Sequence, residues 1–373
     1  MNITNQDYFQ LAVKGVQALQ PYQPGKPIDE LEREYRITDI VKLASNENPL
    51  GPSPKVMSAI QSNLSDITRY PDGNGFTLKQ ALVKKYSAIN LSQITLGNGS
   101  NDVLEVIARA LVSEKEEVIY SEYAFAVYPL VTQAIGAKAV VTTAKNWGHD
   151  LNAMLAAITD KTKLIFIANP NNPTGTWLDE ETLTTFLDAV PKNIVVVLDE
   201  AYFEFASNNE YGVKGYPDGI ELLSKFDNLV VTRTFSKAYG LAGLRVGYAM
   251  ANEALTNLFN RVRQPFNVNS LALAAAEVAL SDTDYLQAGV QLNYEQMNRV
   301  TDEFNSLGLT FIPSIGNFVC FKVDDSAACY ENLLKQGIIV RPVANYGMAD
   351  YLRVSIGSEK ENKRFLTALK NII

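Results

Sequence analysis

Short, unbroken apolar runs recur through the middle of the chain. Lys163–Ala168, Ile194–Leu198 and Leu229–Thr232 are each almost continuously apolar instead of alternating with polar residues. Continuous runs of this length, rich in β-branched residues, are what strands covered on both faces require. Between the first two, Asp179–Ala189 carries helical spacing. Such strands alternating with helices from about 45 to 265 predict a parallel sheet with helices on both sides, an α/β unit. The pattern then changes. Helical spacing continues from Ser270 to Leu307, and beyond it Phe318–Val323 and Tyr351–Ser355 read as strands flanking a helix at Ser326–Gln336. That mixture predicts a smaller α+β unit. Residues 1 to about 40 are polar and interrupted by Pro21, Pro24 and Pro27, and read as an arm carrying a helix. The expected organisation is an arm over 1–44, a large domain over 45–270 and a small domain over 271–373. No internal repeat or low-complexity tract is visible.

Size and composition narrow the function. A chain of 373 residues is long for one core and suits about two domains. Its net charge of −8 disfavours nucleic acid and anionic membranes as partners, since either asks for a basic face. A small acidic substrate needs only local positive charge and stays open. No stretch approaches the roughly 18 apolar residues of a membrane span, and Met1–Gln10 lacks the apolar segment of a signal peptide. With only Cys320 and Cys329, there is neither a disulfide framework nor metal-ligand spacing, so a reducing cytoplasm is expected and no metal. The single histidine, His149, lies in Trp147–Asp150, which reads as a loop. Histidine-based triads and metal centres therefore have little to work with, and the chemistry must come from other groups or from a cofactor.

Each of the three strands runs into an unusual polar cluster: Asn169-Pro170-Asn171-Asn172-Pro173-Thr174-Gly175, then Asp199-Glu200-Ala201-Tyr202, then Thr232-Arg233-Thr234-Phe235-Ser236-Lys237. Ligands of open α/β sheets sit beyond the carboxyl ends of the strands, so the three clusters are expected to converge. Any one alone reads as a turn or a helix cap. A fourth segment, Gly97–Asp102, precedes a helical run at Val103–Leu111. Backbone amides at a helix start form an anion site, and glycine allows close approach. The same glycine pair would suit a dinucleotide, but the third glycine of that fingerprint is missing.

Together with Lys42-Leu43-Ala44-Ser45-Asn46-Glu47-Asn48-Pro49-Leu50-Gly51, Arg69-Tyr70-Pro71-Asp72-Gly73 and Gly243-Leu244-Arg245-Val246-Gly247, these segments resemble the fold-type-I pyridoxal-phosphate aminotransferases over essentially the whole chain. Within them the sequence resembles the histidinol-phosphate aminotransferase family. The resemblance implies a mainly parallel seven-stranded sheet in the large domain beside the smaller α+β domain. It implies Lys237 as the amine that reacts with the aldehyde of pyridoxal 5'-phosphate and later carries a proton, a role that burial would favour by lowering its pKa. Asp199 is implied as the anion beside the ring nitrogen, Tyr202 and Asn172 as the pair on the ring hydroxyl, and Phe125 as the aromatic that stacks on the ring. The phosphate cup would comprise Gly99, Ser100, Asn101, Thr234, Ser236 and Arg245. Asn101 stands where some relatives carry an acidic residue. Tyr70 would reach the phosphate of the neighbouring subunit's cofactor in a homodimer with active sites at the subunit interface. Arg341 and Arg353 would grip the substrate phosphate, with Asn172 beside them and Tyr22 contributed across the dimer.

The implied activity moves an amino group between histidinol phosphate and 2-oxoglutarate, in histidine biosynthesis. Rival expectations are an aromatic aminotransferase of the same family, a phosphothreonine decarboxylase using the same cofactor site, and a non-enzymatic binding protein on this fold. The last has no use for an intact Lys237, Asp199 and Arg245.

Overall fold

In the computed structural model, which describes residues 5–21 and 25–373, the apolar runs form the centre of a seven-stranded sheet. Its strands are β1 (Ile94–Gly97), β2 (Glu117–Ser121), β3 (Lys138–Thr142), β4 (Thr162–Ala168), β5 (Val195–Asp199), β6 (Leu229–Thr234) and β7 (Gly247–Ala251). They lie in the order β1-β7-β6-β5-β4-β2-β3, parallel except for β7, which runs antiparallel to both neighbours. The reason for the continuous apolar runs is visible in the packing. Ile165, Ile167, Val196, Leu198 and Val231 face one layer with Leu183 and Phe186, whereas Leu164, Phe166, Val195, Val197 and Val230 face the other with Val103, Ile107 and Phe259. Side chains alternate between faces along a strand, so covering both faces demands apolar residues at every position.

The helices that matter here are α1 (Ser100–Leu111), α2 (Glu180–Ala189), α3 (Ser270–Ser281) and α4 (Thr283–Ser306). Asp179, expected as the first residue of α2, instead caps it by accepting from the Thr182 amide. The helical stretch expected over Ser270–Leu307 is two helices. Asp282 leaves helical geometry at ψ 62, and its carboxylate is held by Lys55 at 2.7 Å. A short acidic side chain that finds a partner outside the helix favours a break over continuation. Helix α3 packs its alanine face into the core below the large sheet, while Val300 and Phe304 of α4 pack into a second core.

That second core covers an antiparallel sheet of β8 (Phe311–Ile312), β9 (Phe318–Lys322), β10 (Arg341–Pro342) and β11 (Tyr351–Ser355), in the order β8-β9-β11-β10. Helices α5 (Ser326–Lys335) and α6 (Glu359–Lys370) close it. Val41–Lys42 pairs in parallel with Ile338–Ile339, so the chain entering from the N-terminal side is stitched onto this unit before Ser45 reaches the large sheet.

His149 is not in a loop. Ala144–Lys145 and Gly148–His149 form a two-residue hairpin, with Asn146 and Trp147 at positive φ (51° and 66°) in the turn, the torsions that match a tight hairpin's twist. His149 Nε2 bonds the Ala168 carbonyl at 2.9 Å, and desolvation lowers its pKa, so the ring is a neutral structural group. Among the described residues no cluster of potential ligands could hold a metal, and no helix is long and apolar enough to cross a membrane.

Candidate active site

The parallel register sets Ala168 beside Asp199 and Asp199 beside Thr232. The three polar clusters therefore leave the sheet at one level, around a cavity of ≈ 200 Å³. Ser100, Asn101, Phe125, Asn172, Asp199, Tyr202, Thr234, Ser236, Lys237, Arg245, Arg341 and Arg353 all line it. Gly99 is the residue just before α1, at its N-cap position. Tyr70 does not reach this cavity. It is 84% exposed and stacked on Phe266, 4.9 Å between ring centroids. Tyr22 lies outside the described residues. A wider cavity of ≈ 810 Å³ adjoins the first and shares Gly25, Arg341 and Tyr346 with it.

Lys237 follows β6 and the turn Phe235–Ser236, and its Nζ donates to the Ser45 carbonyl at 2.8 Å. Burial, reinforced by the positive charge of Arg353, pushes its pKa down to about 7, against the opposing pull of Glu47. Near neutral pH the amine is therefore partly uncharged and available as nucleophile or base.

Asp199 ends β5. Its Oδ2 accepts from the Tyr128 hydroxyl at 2.8 Å and its Oδ1 from Thr232 Oγ1 at 3.0 Å. Burial raises its pKa while these two hydroxyls and the Ala201 amide lower it. Tyr128 is itself fixed by stacking on Phe166, 4.5 Å between centroids and 2° between planes. A protonated ring nitrogen beside this carboxylate would complete a charge-assisted hydrogen bond in a low-dielectric setting.

Tyr202 receives two hydrogen bonds on its hydroxyl oxygen, from Asn46 Nδ2 at 2.9 Å and Asn172 Nδ2 at 3.1 Å. Burial pushes its pKa up to about 12. With both lone pairs taken, the proton of this hydroxyl can only be donated, to an oxygen in the cavity.

Ser100, Asn101, Ser236 and Arg245 form a cup in the cavity wall, a donor set that suits an anion. Helix α1 starts at Ser100 with no side-chain cap, leaving its first amides free to meet a phosphate. Arg245, itself in the left-handed region at φ 58°, donates through Nη1 to Ser236 Oγ at 3.2 Å and to the Ala242 carbonyl at 2.9 Å. Gly99 has φ 89°, and a Cβ there would lie 2.4 Å from Arg245 Nη2. Glycine at 99 is therefore what lets the guanidinium close onto the helix start. Replacing Gly99 by alanine is expected to weaken binding of a phosphorylated ligand about 10- to 100-fold, from backbone strain and displacement of Arg245. Titration of the purified variant with pyridoxal 5'-phosphate checks this.

The opposite wall comes from the smaller sheet. Arg353 on β11 and Arg341 on β10 are cross-strand partners, so both side chains leave the same face. Arg353 donates Nη2 to the Ala44 carbonyl at 2.8 Å and Nη1 to Asn172 Oδ1, and its guanidinium lies over Phe318 at 5.3 Å. Both arginines are almost buried, at 9% and 6% exposure.

Sequence reasoning missed four contributors. Asn46 lies inside a quoted motif, and its positive φ of 56° is the only local trace of its special position. Tyr128 has no signal beyond its place in the aromatic segment around Phe125. Thr232 read as the last residue of a strand. Asp102 anchors the cup by accepting the Asn98 amide at 2.7 Å and Asn267 Nδ2 at 2.9 Å.

A lysine, a buried aspartate, a donating tyrosine and an anion cup at the carboxyl edge of such a sheet define the class. The chain belongs to the class I and II aminotransferases, whose family profile matches residues 38–369. Within that class it is similar to histidinol-phosphate aminotransferases, and at this level of identity it is a member of their family. Histidinol-phosphate aminotransferase 2 of Pseudomonas fluorescens strain Pf-5 is 55% identical over 370 residues, covering 98% of both chains. Histidinol-phosphate aminotransferase 1 of Nitrosococcus oceani is 54% identical over 367 residues, again covering 98% of both. The crystal structure of histidinol-phosphate aminotransferase from Sinorhizobium meliloti in complex with pyridoxal-5'-phosphate superposes with a TM-score of 0.87 at 29% identity, covering 97% of each chain.

Proposed function

We propose that this protein is a pyridoxal-phosphate-dependent histidinol-phosphate aminotransferase of histidine biosynthesis. In the biosynthetic direction it converts imidazole-acetol phosphate and glutamate into histidinol phosphate and 2-oxoglutarate, binding the two amino-group partners alternately in one site. The observation that carries the substrate choice is the in-register, nearly buried pair Arg341 and Arg353. Two guanidiniums on one face of the smaller sheet, both lining the cavity, fit a wall that receives an anion. A phosphate and a carboxylate both suit two guanidinium forks. The same wall therefore accepts histidinol phosphate in one half of the cycle and glutamate in the other, with no moving switch.

The donor set fits the cofactor. Ser100, Asn101, Thr234, Ser236 and Arg245 would hold its phosphate, Asp199 its ring nitrogen, Tyr202 and Asn172 its ring hydroxyl, and Phe125 its ring face. Pyridoxal phosphate, when bound, supplies an aldehyde and a conjugated ring able to accept the electron pair released at the substrate's amino-bearing carbon. The chain does the rest. Lys237 Nζ, its pKa pushed down to about 7 by burial, would take the proton from that carbon. Asp199, its carboxyl oriented by two hydroxyls, would face the protonated ring nitrogen as its anion, and Tyr202, with both lone pairs taken, would donate its proton to the ring oxygen. The reading includes a homodimer in which the exposed Tyr70 is lent to the partner's phosphate cup and Tyr22 crosses to the partner's substrate. It also places the enzyme in the cytoplasm, where the buried thiols Cys320 and Cys329 stay unpaired.

The purified protein, assayed with 2-oxoglutarate as acceptor, is expected to turn over histidinol phosphate faster than phenylalanine or tyrosine. Turnover of the aromatic acids alone would overturn the assignment in favour of an aromatic aminotransferase, and release of carbon dioxide from phosphothreonine would mark a decarboxylase. Arg353→Ala and Arg341→Ala are each expected to raise KM for histidinol phosphate by about 30-fold or more, the loss that follows truncation of one partner of a buried charged contact. Unchanged KM in both variants would place the substrate anion elsewhere.

A further inference from the structure

Behind the cavity lies a buried ion pair to which the proposed reaction assigns no part. Along β5 and β6, Asp199, Thr232 and Thr234 face the cavity, so Glu200 and Arg233 face the opposite side. Both are 0% exposed. Arg233 grips one oxygen of Glu200 through Nε at 2.9 Å and Nη2 at 2.7 Å, and Nη2 also reaches Asp218 Oδ1 at 2.6 Å. The other oxygen of Glu200 accepts the Gly219 amide at 3.0 Å. The ring of Phe203 lies over the guanidinium, 3.3 Å from its centre.

Replacing a buried pair of this kind by apolar residues is often neutral or stabilising, so stability alone is a weak reason for it. Its placement supplies another. Glu200 is the neighbour of Asp199, Phe203 is the neighbour of Tyr202, and Arg233 sits between Thr232 and Thr234. One guanidinium thus touches the neighbours of Asp199 and Tyr202 and is itself flanked by two threonines, all four of them on the cavity side. The Glu200 amide also bonds the Thr232 carbonyl at 2.9 Å, and the Phe203 amide bonds the Glu200 carbonyl at 3.0 Å, which ties the same turn to the same strand. We propose that Arg233 and Glu200 are positioning residues: their two-point ion pair, roofed by Phe203, clamps the ends of β5 and β6 so that Asp199 and Tyr202 meet the ring of the cofactor at fixed places. This rests on the pyridoxal-phosphate reading above.

The test uses the full chain loaded with pyridoxal 5'-phosphate and two variants. Arg233→Met combined with Glu200→Met replaces the pair by apolar volume, and is expected to keep the thermal midpoint within about 5 °C of the parent. It is also expected to weaken cofactor affinity about tenfold, and to move the pH midpoint of the bound cofactor's visible absorbance by about one unit, because Asp199 and Tyr202 no longer sit in register. Glu200→Gln, which keeps the shape but loses the charge of the grip, is the milder variant, with about a threefold loss of affinity and a smaller shift in the same direction. It decides the matter if the double variant does not fold. A parent chain that takes up no cofactor would sink the aminotransferase reading itself. A parent that binds it, with folded variants matching its affinity and its pH midpoint, would overturn the positioning role alone.

Discussion

Replacing Lys237 by alanine is expected to reduce amino transfer by about 10³-fold or more while leaving the fold intact. The side chain makes one hydrogen bond, to the Ser45 carbonyl, so its removal breaks little. What disappears is the only lysine amine that lines this cavity among the described residues, the one that desolvation and the nearby Arg353 hold down at about 7. Lys237→Arg is expected to fail equally, because a guanidinium keeps its proton at any accessible pH and cannot serve as base. The sign of the pH profile follows. The neutral amine is the active form, so the proton transfer with histidinol phosphate already bound, when this amine is free again, is expected to quicken as pH rises through about 7, the value to which burial lowers this group. Single-turnover measurements with the amino donor, taken from pH 6 to pH 8, separate this from product release. A flat profile in the parent, or a Lys237→Ala variant of ordinary rate, would remove the lysine from the chemistry.

Asp199→Asn is the second large effect. The amide keeps the size of the carboxylate and can still accept from one of its two hydroxyl partners, Tyr128 and Thr232, but the fixed negative charge is gone. A preorganised charge in a dry site is worth far more than in water, and loss of one such group costs about 10²- to 10³-fold in kcat. The expectation is a drop of that order, with a smaller change in KM, since the wall proposed for the substrate's anion is the opposite one, at Arg341 and Arg353. The bound cofactor's visible spectrum gives an independent reading. In the variant it is expected to shift as its ring loses the anion that favours the protonated form. A variant with the parent's kcat and spectrum would show that the charge of Asp199 is irrelevant to the reaction.

Much of this site was open to sequence reasoning for a physical reason. Strands covered on both faces must be apolar throughout, so a sudden polar cluster at the end of each one stands out, and in a parallel sheet those ends share one edge. Lys237, Asp199, Tyr202 and Asn172 were legible on that ground together with the family resemblance. The start of a helix just after Gly99 was legible from the glycine pair and the helical run that follows it.

Other features depended on contacts that no local pattern records. Asn46 meets Tyr202 from 156 residues away and Ser355 from 309 residues away. Tyr128 reaches Asp199 from 71 residues away, and nothing in its neighbours announces it. The turn of Asn146 and Trp147 closed a hairpin where only a loop was expected, because one of the deciding torsions belongs to Trp147, a bulky residue that seldom adopts positive φ. Asp282 broke a helix that periodicity alone would have continued, because Lys55 from a distant segment holds its carboxylate.

By itself, then, the sequence determined the layer architecture, the strand ends and the chemical types gathered there, since hydrophobic period and turn chemistry are local and each residue carries its own. Tertiary structure alone decided that Arg341 and Arg353 stand in register, that Asp199 is held by Tyr128 and Thr232, and that burial lowers the pKa of Lys237 to about 7. Register, burial and electrostatic coupling are properties of how distant segments pack, and a string of residues carries them only once it has folded.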